Sequence, residues 1–374
     1  MYGLLQTIVT QLKRELKLKR ELQRNAKYFK PAKIALFPLA LALAACSTVS
    51  LDTPKSPATS PATPAESLQL QTLRTITSQQ DRLYRIAAPL LVSNAPLCKG
   101  NARNLIGFSA KNKYSYSEDY VDAAQALGFT EQLQITGVLN NSGAARAGLK
   151  RSDILATVEG QPLPAGPNAE RQAAAILGPM VGKRTNIKLG MIRAGSNVNI
   201  TVPLTMACGF GIELGNTDNV NAYADGRRVM VTRGMLNFAR TDGELAFVLA
   251  KELAHNALRH PSQQKMNATV GGIIDNLTRI SPDNSTLGGS GGVRAMPQEI
   301  DAAADTLALY MLVRAGYNID GASSFWQRLA NQYPATVMNS YTAIHPATAY
   351  RLATIDKVSK DIKAKQADKK PLVP

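Results

Sequence analysis

The chain has 374 residues, 45% of them hydrophobic, with 43 Lys or Arg against 27 Asp or Glu. That length accommodates two domains with cores of their own, and the hydrophobic share excludes a disordered chain. The positive balance would suit anionic lipid or glycan surfaces, but no basic patch carries interleaved aromatic residues, so an ordinary solvated surface is the expectation and nucleic acid is not an expected partner.

Residues 1–45 join a basic stretch, Lys13 through Lys33, to an apolar run from Ile34 to Ala45. A basic region followed by about 7–15 apolar residues is the pattern of an export signal, too short to remain as a spanning helix. The basic stretch is longer than such a signal needs, which puts the expected translation start further in. The run closes on Leu43-Ala44-Ala45-Cys46 and resembles the lipobox of bacterial lipoproteins. That resemblance implies lipidation of Cys46 as the first mature residue. Ser47 in the next position implies sorting to the outer membrane, facing the periplasm; an ordinary signal or signal anchor is the alternative. Residues 46–65 are rich in Pro, Ser and Thr, bury nothing, and predict an extended tether. In the segment 66–97, the spacing of Leu68, Leu70, Leu73, Ile76, Leu83, Ile86 and Leu90 predicts a helix from about Glu66 to Leu91. With Cys46 assigned, Cys98 and Cys208 form an even pair in an exported chain. They predict a disulfide, with two unpaired buried thiols as the other reading.

Residues 98–208 alternate strand-like and helical runs: QITGVL, a turn at Asn140–Gly143, a short helix in SGAARAGLK, a strand in DILATVEG, a helix from about Ala169 to Leu177 and a hairpin turning at Gly195. The stretch SGAARAGLKRSDILATVEGQPL resembles the corresponding motif of PDZ domains, departing from it at Gly143, where proline is usual, and Ser152, where glycine is usual. The resemblance implies peptide or protein partners bound by β-augmentation, with Leu127, Gly128 and Phe129 as the candidate carboxylate loop. The start of a plain hydrophobic strand is the alternative for those three residues.

The block 209–363 carries the chemistry, followed by a basic tail, 364–374. Asp225-Gly226 predicts a two-residue hairpin turn, and Thr241-Asp242-Gly243-Glu244 predicts a capping box opening a helix that ends at His260, before Pro261. Within that helix stands LAKELAHNALRH, where Val248, Lys251, His255 and Leu258 share a stripe and Glu252 sits beside it. A metal-binding H-E-x-x-H helix would need histidine at 251; only Glu252 and His255 of that motif are present.

The segment NAYADGRRVMVTRGMLNFARTDGELAFVLAKELAHNALRH resembles the catalytic region of zinc metallopeptidases of the HtpX and CAAX-prenyl-protease type, peptidase family M48. In that family a later E-x-x-x-D supplies the third zinc ligand and a supporting aspartate. The matching run here is DAAADTLALYMLVRAGYN, with Asp301 in the glutamate position and Asp305 in the aspartate position. The resemblance further implies roles near the cleft for His345, as an oxyanion stabiliser, and for Arg351, both within a His-Pro-x-x-x-x-Arg element.

A charged lysine has no lone pair for zinc, and Asp301 is a methylene shorter than the family's glutamate. Three readings of Lys251 follow. It is a surface residue on a drifted helix, which Val248 and Leu258 beside it argue against. Or its ammonium takes the place of the metal, pairing with Glu252 and Asp301. Or His255, Asp301 and His345 hold zinc in a rearranged site with Glu252 as base. His260 is expected to be solvated at the helix end, and Gly288–Gly292 to be a linker. The expectation is an α+β protein, a small β-rich PDZ-like domain before a mainly helical zincin-like domain. It is anchored in the outer membrane, its zinc site degenerate and hydrolysis reduced or lost, and it acts as a peptide-binding scaffold. An active zinc metalloendopeptidase is the alternative, and whether the chain is an enzyme stays open.

Overall fold

The computed structural model describes residues 67–285, 293–335 and 341–374. The signal, Cys46, the tether and Gly288–Gly292 lie outside them. Helix α1 (Leu68–Ser93) opens on Ser67, whose hydroxyl accepts the Leu70 N–H at 3.3 Å, and buries Leu73, Ile76, Leu83, Ile86 and Leu90 on one stripe. Burial of each such side chain is worth about 1.5–3 kcal/mol. Most of that stripe joins the core of the C-terminal half, so the segment 66–97 forms part of that half. Asn94, just beyond the helix, donates to the carbonyls of Leu90 and Met311, both at 2.9 Å.

A turn carrying Cys98 leads into β1 (Ala102–Leu105), β2 (Phe108–Lys111), α2 (Val121–Ala126), β3 (Gln134–Val138), α3 (Gly143–Arg146), β4 (Ile154–Val158), β5 (Gln161–Pro162), α4 (Ala169–Lys183), β6 (Asn186–Arg193), β7 (Ser196–Pro203) and β8 (Thr205–Cys208). The sheet runs β2-β3-β4-β6-β7, with β5 paired beside β4, and every pairing is antiparallel. Ile187, Leu189 and Met191 alternate inward along β6 and meet Ile135, Leu155, Val158 and Val202 beneath Ala169 and Ala173 of α4, a core separate from that of α1. Helix α4 passes through Gly178-Pro179, beyond the stop expected at Leu177.

The two departures from the PDZ motif have local causes. The Gly143 N–H donates to Thr205 Oγ1 at 2.7 Å, a bond proline cannot make, and a Cβ there would overlap the Pro203 carbonyl. Ser152 takes φ 65°, the left-handed conformation that glycine adopts at lower cost.

This module leaves and re-enters the body at one place. Strands β1 and β8 pair from Ala102↔Cys208 to Leu105↔Thr205, and Cys98 is disulfide-bonded to Cys208 with a Cα separation of 5.5 Å.

The chain continues through β9 (Gly211–Gly215), β10 (Ala222–Ala224), β11 (Arg228–Thr232), α5 (Arg233–Phe238), α6 (Asp242–Ala257), α7 (His260–Gln263), α8 (Asn267–Leu277), α9 (Gln298–Arg314), α10 (Ala322–Gln332), α11 (Tyr341–Ile344) and α12 (Ala349–Ala367). A three-stranded sheet, β10-β11-β9, pairs β10 with β11 antiparallel and β9 with β11 parallel. Its hairpin centres on Gly226 and Arg227, one residue later than expected, because the Asp225 N–H donates to Arg228 O and Asp225 Oδ1 accepts the N–H groups of Arg227 and Arg228. Around α6 the other helices close an almost wholly buried core.

Thr241 Oγ1 accepts the Glu244 N–H at 3.2 Å, but Glu244 reaches back to the Arg240 N–H, so only half of the expected capping box forms. Helix α6 stops at Ala257 rather than His260, because Arg259 takes φ 60° and turns the chain. The basic tail is part of the body: α12 runs on to Ala367, and Leu372 packs against the main core. The mixture of sheet and helix fits the expected α+β class. No helix of the described residues is long and apolar enough to cross a membrane.

The disulfide closes a loop with a sequence separation of 110. Replacing both Cys98 and Cys208 by serine should lower the unfolding free energy by about 2–5 kcal/mol, measured by guanidinium denaturation.

Candidate metallopeptidase-like site

Three elements deliver the charged groups. Helix α6 carries Lys251 and His255 one turn apart with Glu252 alongside; α9 carries Asp301 and Asp305, also one turn apart; the stretch through α11 into α12 brings Tyr341, His345 and Arg351. All are buried, Lys251, His255 and Asp301 at 0% exposure. A position so buried overturns the reading of Lys251 as a surface residue.

The Lys251 ammonium sits between two carboxylates, 2.9 Å from Asp305 Oδ1 and 3.2 Å from Asp301 Oδ1, and over the Trp326 ring at 5.5 Å. Arg351 grips the far side of Asp305, with Nε 2.7 Å from Oδ2 and Nη2 3.1 Å from Oδ1, while its Nη1 lies 3.4 Å from Asp301 Oδ2. That Nη1 also donates to the carbonyls of His345 and Pro346, at 2.9 and 2.8 Å, which fixes the turn presenting His345. Two cations thus alternate with two anions.

Glu252, expected to share the ammonium, does not. Its Oε1 accepts the Tyr341 hydroxyl at 3.0 Å, with His345 Nε2 at 3.6 Å. The His345 Nδ1 is bonded to Asp301 Oδ1 at 2.7 Å, which ties the ring to an acidic side chain and turns Nε2 toward Glu252. His260 is buried rather than solvated, because the turn at Arg259 folds it back until its Nδ1 stands 3.0 Å from His255 Nδ1. One of these two rings must donate and the other accept.

Burial pushes the Glu252 carboxyl above its ordinary range. Burial would do the same to Asp301 and Asp305, but Lys251 beside both, with His345 on the first and Arg351 on the second, holds them below the usual carboxylate range. Burial lowers His255 and His345, and together with the neighbouring His255 it takes His260 down to about 4. The cluster therefore balances two cations against two carboxylates, with neutral imidazoles and a Glu252 biased toward its neutral form.

His255, Asp301 and His345 each offer one ligand atom, all within 4.8 Å of one another, a donor set compatible with a metal. His255 Nε2 and Asp301 Oδ2 have no hydrogen-bond partner. The surrounding charge opposes that use. A divalent ion about 4 Å from an ammonium is repelled by on the order of 8 kcal/mol at an effective dielectric constant near 20, and Asp301 already has Lys251 and Arg351 beside it. With an ammonium between Asp301 and Asp305, the residues present do not fit the family's zinc.

The site is also closed. A cavity of about 20 Å³ lies against Glu252, His255 and His345, walled by Tyr223, Val293, Met296 and Ile344. The Met296 N–H donates to Ile344 O at 2.7 Å and holds that wall shut.

The three residues expected to form a carboxylate loop precede an interior strand. Leu127 and Phe129 pack with Leu70, Leu73, Ala123 and Ala124, and they lead toward β3, which is paired on both sides. A strand cannot be added there; the sheet edge nearest in sequence to the module's entry is β2. Trp326, Tyr341 and His260 were not legible as site residues. Tyr341 stands one turn before His345, a weak signal that spacing alone does not raise above background.

Lys251→Met keeps the volume but leaves Arg351 as the one arginine or lysine beside Asp301 and Asp305; the unfolding free energy should fall by about 3–5 kcal/mol in urea titrations. For the histidines, a folded state that resists protonation is fully stable above pH of about 6.5 and loses stability as pH falls toward 4. The unfolding midpoint should drop across that window, and His260→Gln should flatten the drop.

Parts of the chain are similar to known proteins. Over 141 residues the chain is 30% identical to the beta-barrel assembly-enhancing protease of Yersinia pestis, covering 33% of this chain and 29% of that protein. Over 153 residues it is 26% identical to the mitochondrial metalloendopeptidase OMA1 of Saccharomyces cerevisiae, covering 38% of this chain and 44% of that protein. The chain thus spans less than half the length of either relative. A crystal structure of the HtrA3 PDZ domain bound to a phage-derived ligand aligns at 18% identity and a TM-score of 0.21, over 28% of this chain and 88% of that one. Residues 200–359, which hold α6, α9 and every charged group of the cluster, match peptidase family M48.

Proposed function

We propose that this chain is a lipid-anchored envelope protein whose metallopeptidase site has become a metal-free structural core, and that its retained activity is peptide capture. The observation that carries the reading is the Lys251 ammonium bridging Asp301 and Asp305 inside the M48 segment. Hydrolysis by this family needs zinc to acidify a water and a glutamate to take its proton. Here the cation beside the acidic groups is an ammonium, which cannot coordinate water, and Glu252 is spent on Tyr341.

Peptide capture rests on the PDZ-like motif in SGAARAGLKRSDILATVEGQPL, on the antiparallel sheet with α4 packed on its core, and on β2, which pairs only with β3 among the described residues. An incoming strand would satisfy β2's free edge, and side-chain pockets would select its sequence. The lipobox-like Leu43–Cys46, followed by Ser47, supports the reading of an anchor at the outer membrane, facing the periplasm. Similarity to a beta-barrel assembly-enhancing protease supports a role in envelope protein quality control.

One observation favours a second reading, an active zinc enzyme with His255, Asp301 and His345 as ligands: the buried Nε2 of His255, 3.2 Å from Asp301 Oδ1, and the buried Oδ2 of Asp301 make no hydrogen bond.

Elemental analysis of purified mature protein, run beside casein cleavage, separates the two. The wild type should carry no zinc and cleave nothing, whereas Lys251→His combined with Asp301→Glu should take up about one zinc per chain. Stoichiometric zinc in the wild type, with cleavage that a chelator stops, would overturn the metal-free reading.

A further inference from the structure

A second hollow, much larger than the cavity beside Glu252, lies between α1, β2–β3 and β9. It measures about 1000 Å³ and has apolar walls from Leu91, Leu105, Phe108, Leu139, Phe210 and Ile212. That is the upper size of pockets that enclose a ligand, and such pockets favour the seam between two packed bodies. This one lies on the seam between the core of the sheet module and the core around α6.

Its charges are almost all spoken for. Arg82 and Arg85 both pair with Asp242, at 3.0 and 2.7 Å, and Arg151 pairs with Asp81. Lys150 stands exposed at the rim. Glu213 differs. It sits half-buried on β9, and its carboxyl has no hydrogen bond or ion pair among the described residues. Arg228, the strongest positive influence on it, is held by Asp225 and Asp275, and burial outweighs the pull of Arg228 and of Lys111 together and pushes the carboxyl up. A carboxyl kept in an apolar cleft without a partner costs stability, and a ligand cation would remove that cost.

The backbone says what kind of ligand carries the cation. The strand that carries Glu213 is an edge strand: among the described residues β9 pairs only with β11. Unpaired strand edges take up extended chain. The geometry points to a binding site for an extended peptide segment whose Lys or Arg side chain pairs with Glu213 between α1 and β9. This site uses Glu213 and the α1 wall, so it is separate from strand addition at β2 and does not depend on the fate of Lys251.

The test is fluorescence anisotropy on the full mature chain, using labelled apolar decapeptides that differ only in a central Lys, Gln or Glu. The Lys peptide should bind at least about tenfold more tightly than the Gln peptide, a difference of about 1.4 kcal/mol, and Glu213→Gln should abolish that preference. A photo-reactive group beside the lysine should cross-link to α1 and to 210–213. Where Glu213→Gln lowers the melting temperature, the cross-link map on the wild type decides. Equal binding of the three peptides, a preference that survives Glu213→Gln, tighter binding of the Glu peptide, or cross-links confined to the sheet module would each overturn the proposal.

Discussion

An ammonium held between two carboxylates, all three out of water, is the constraint on which the C-terminal half depends. Each group alone would cost several kcal/mol to bury, and none could stay without the others. Lys251 reaches Asp301 and Asp305 because α6 and α9 lie side by side, and Arg351 extends the row into α12. Three helices are thereby joined through four charges. Helix α6 can run almost wholly buried from Leu245 to Ala257 only because the charges it carries inward are answered. The Trp326 ring, stacked on Tyr341 at 5.4 Å, lies beneath the Lys251 ammonium at 5.5 Å.

The same arrangement fixes what the neighbouring groups can do. A divalent ion would organise its ligands around an open position, whereas an ammonium has three donors and no acceptor orbital. Glu252 responds by turning to Tyr341, and burial biases it toward the protonated form, opposite to the state a general base needs. His345 leans on Asp301, and His255 on His260. Each catalytic-type residue has found a structural partner, while the small cavity beside them leaves room for about one water.

Much of this was legible in the chain, and the misreadings have physical causes. KELAH announced both the helix and the substitution, and the Asp301 and Asp305 spacing announced a second helix presenting two carboxylates on one face. The expected Lys251–Glu252 pairing ignored helix geometry: adjacent residues project about 100° apart, so they cannot share a partner as Asp301 and Asp305 do. His260 was misplaced because a single left-handed residue, Arg259, reverses the chain direction, and spacing carries no sign of that. The carboxylate loop was placed at Leu127–Phe129 because glycine between apolar residues matches many loops. Which strand is left unpaired is a property of sheet order, decided by contacts far apart in sequence.

Helix α1 links the two halves. Its apolar stripe belongs to the core around α6, its Arg82 and Arg85 clamp Asp242 in the first turn of that helix, and its other face walls the cleft that holds Glu213. The sheet module is held against the same body by the β1–β8 ribbon and the Cys98–Cys208 bond. A rigid neck and a shared helix keep the cleft's two walls at a fixed separation, which is what a site needs if binding is not to be spent on closing it.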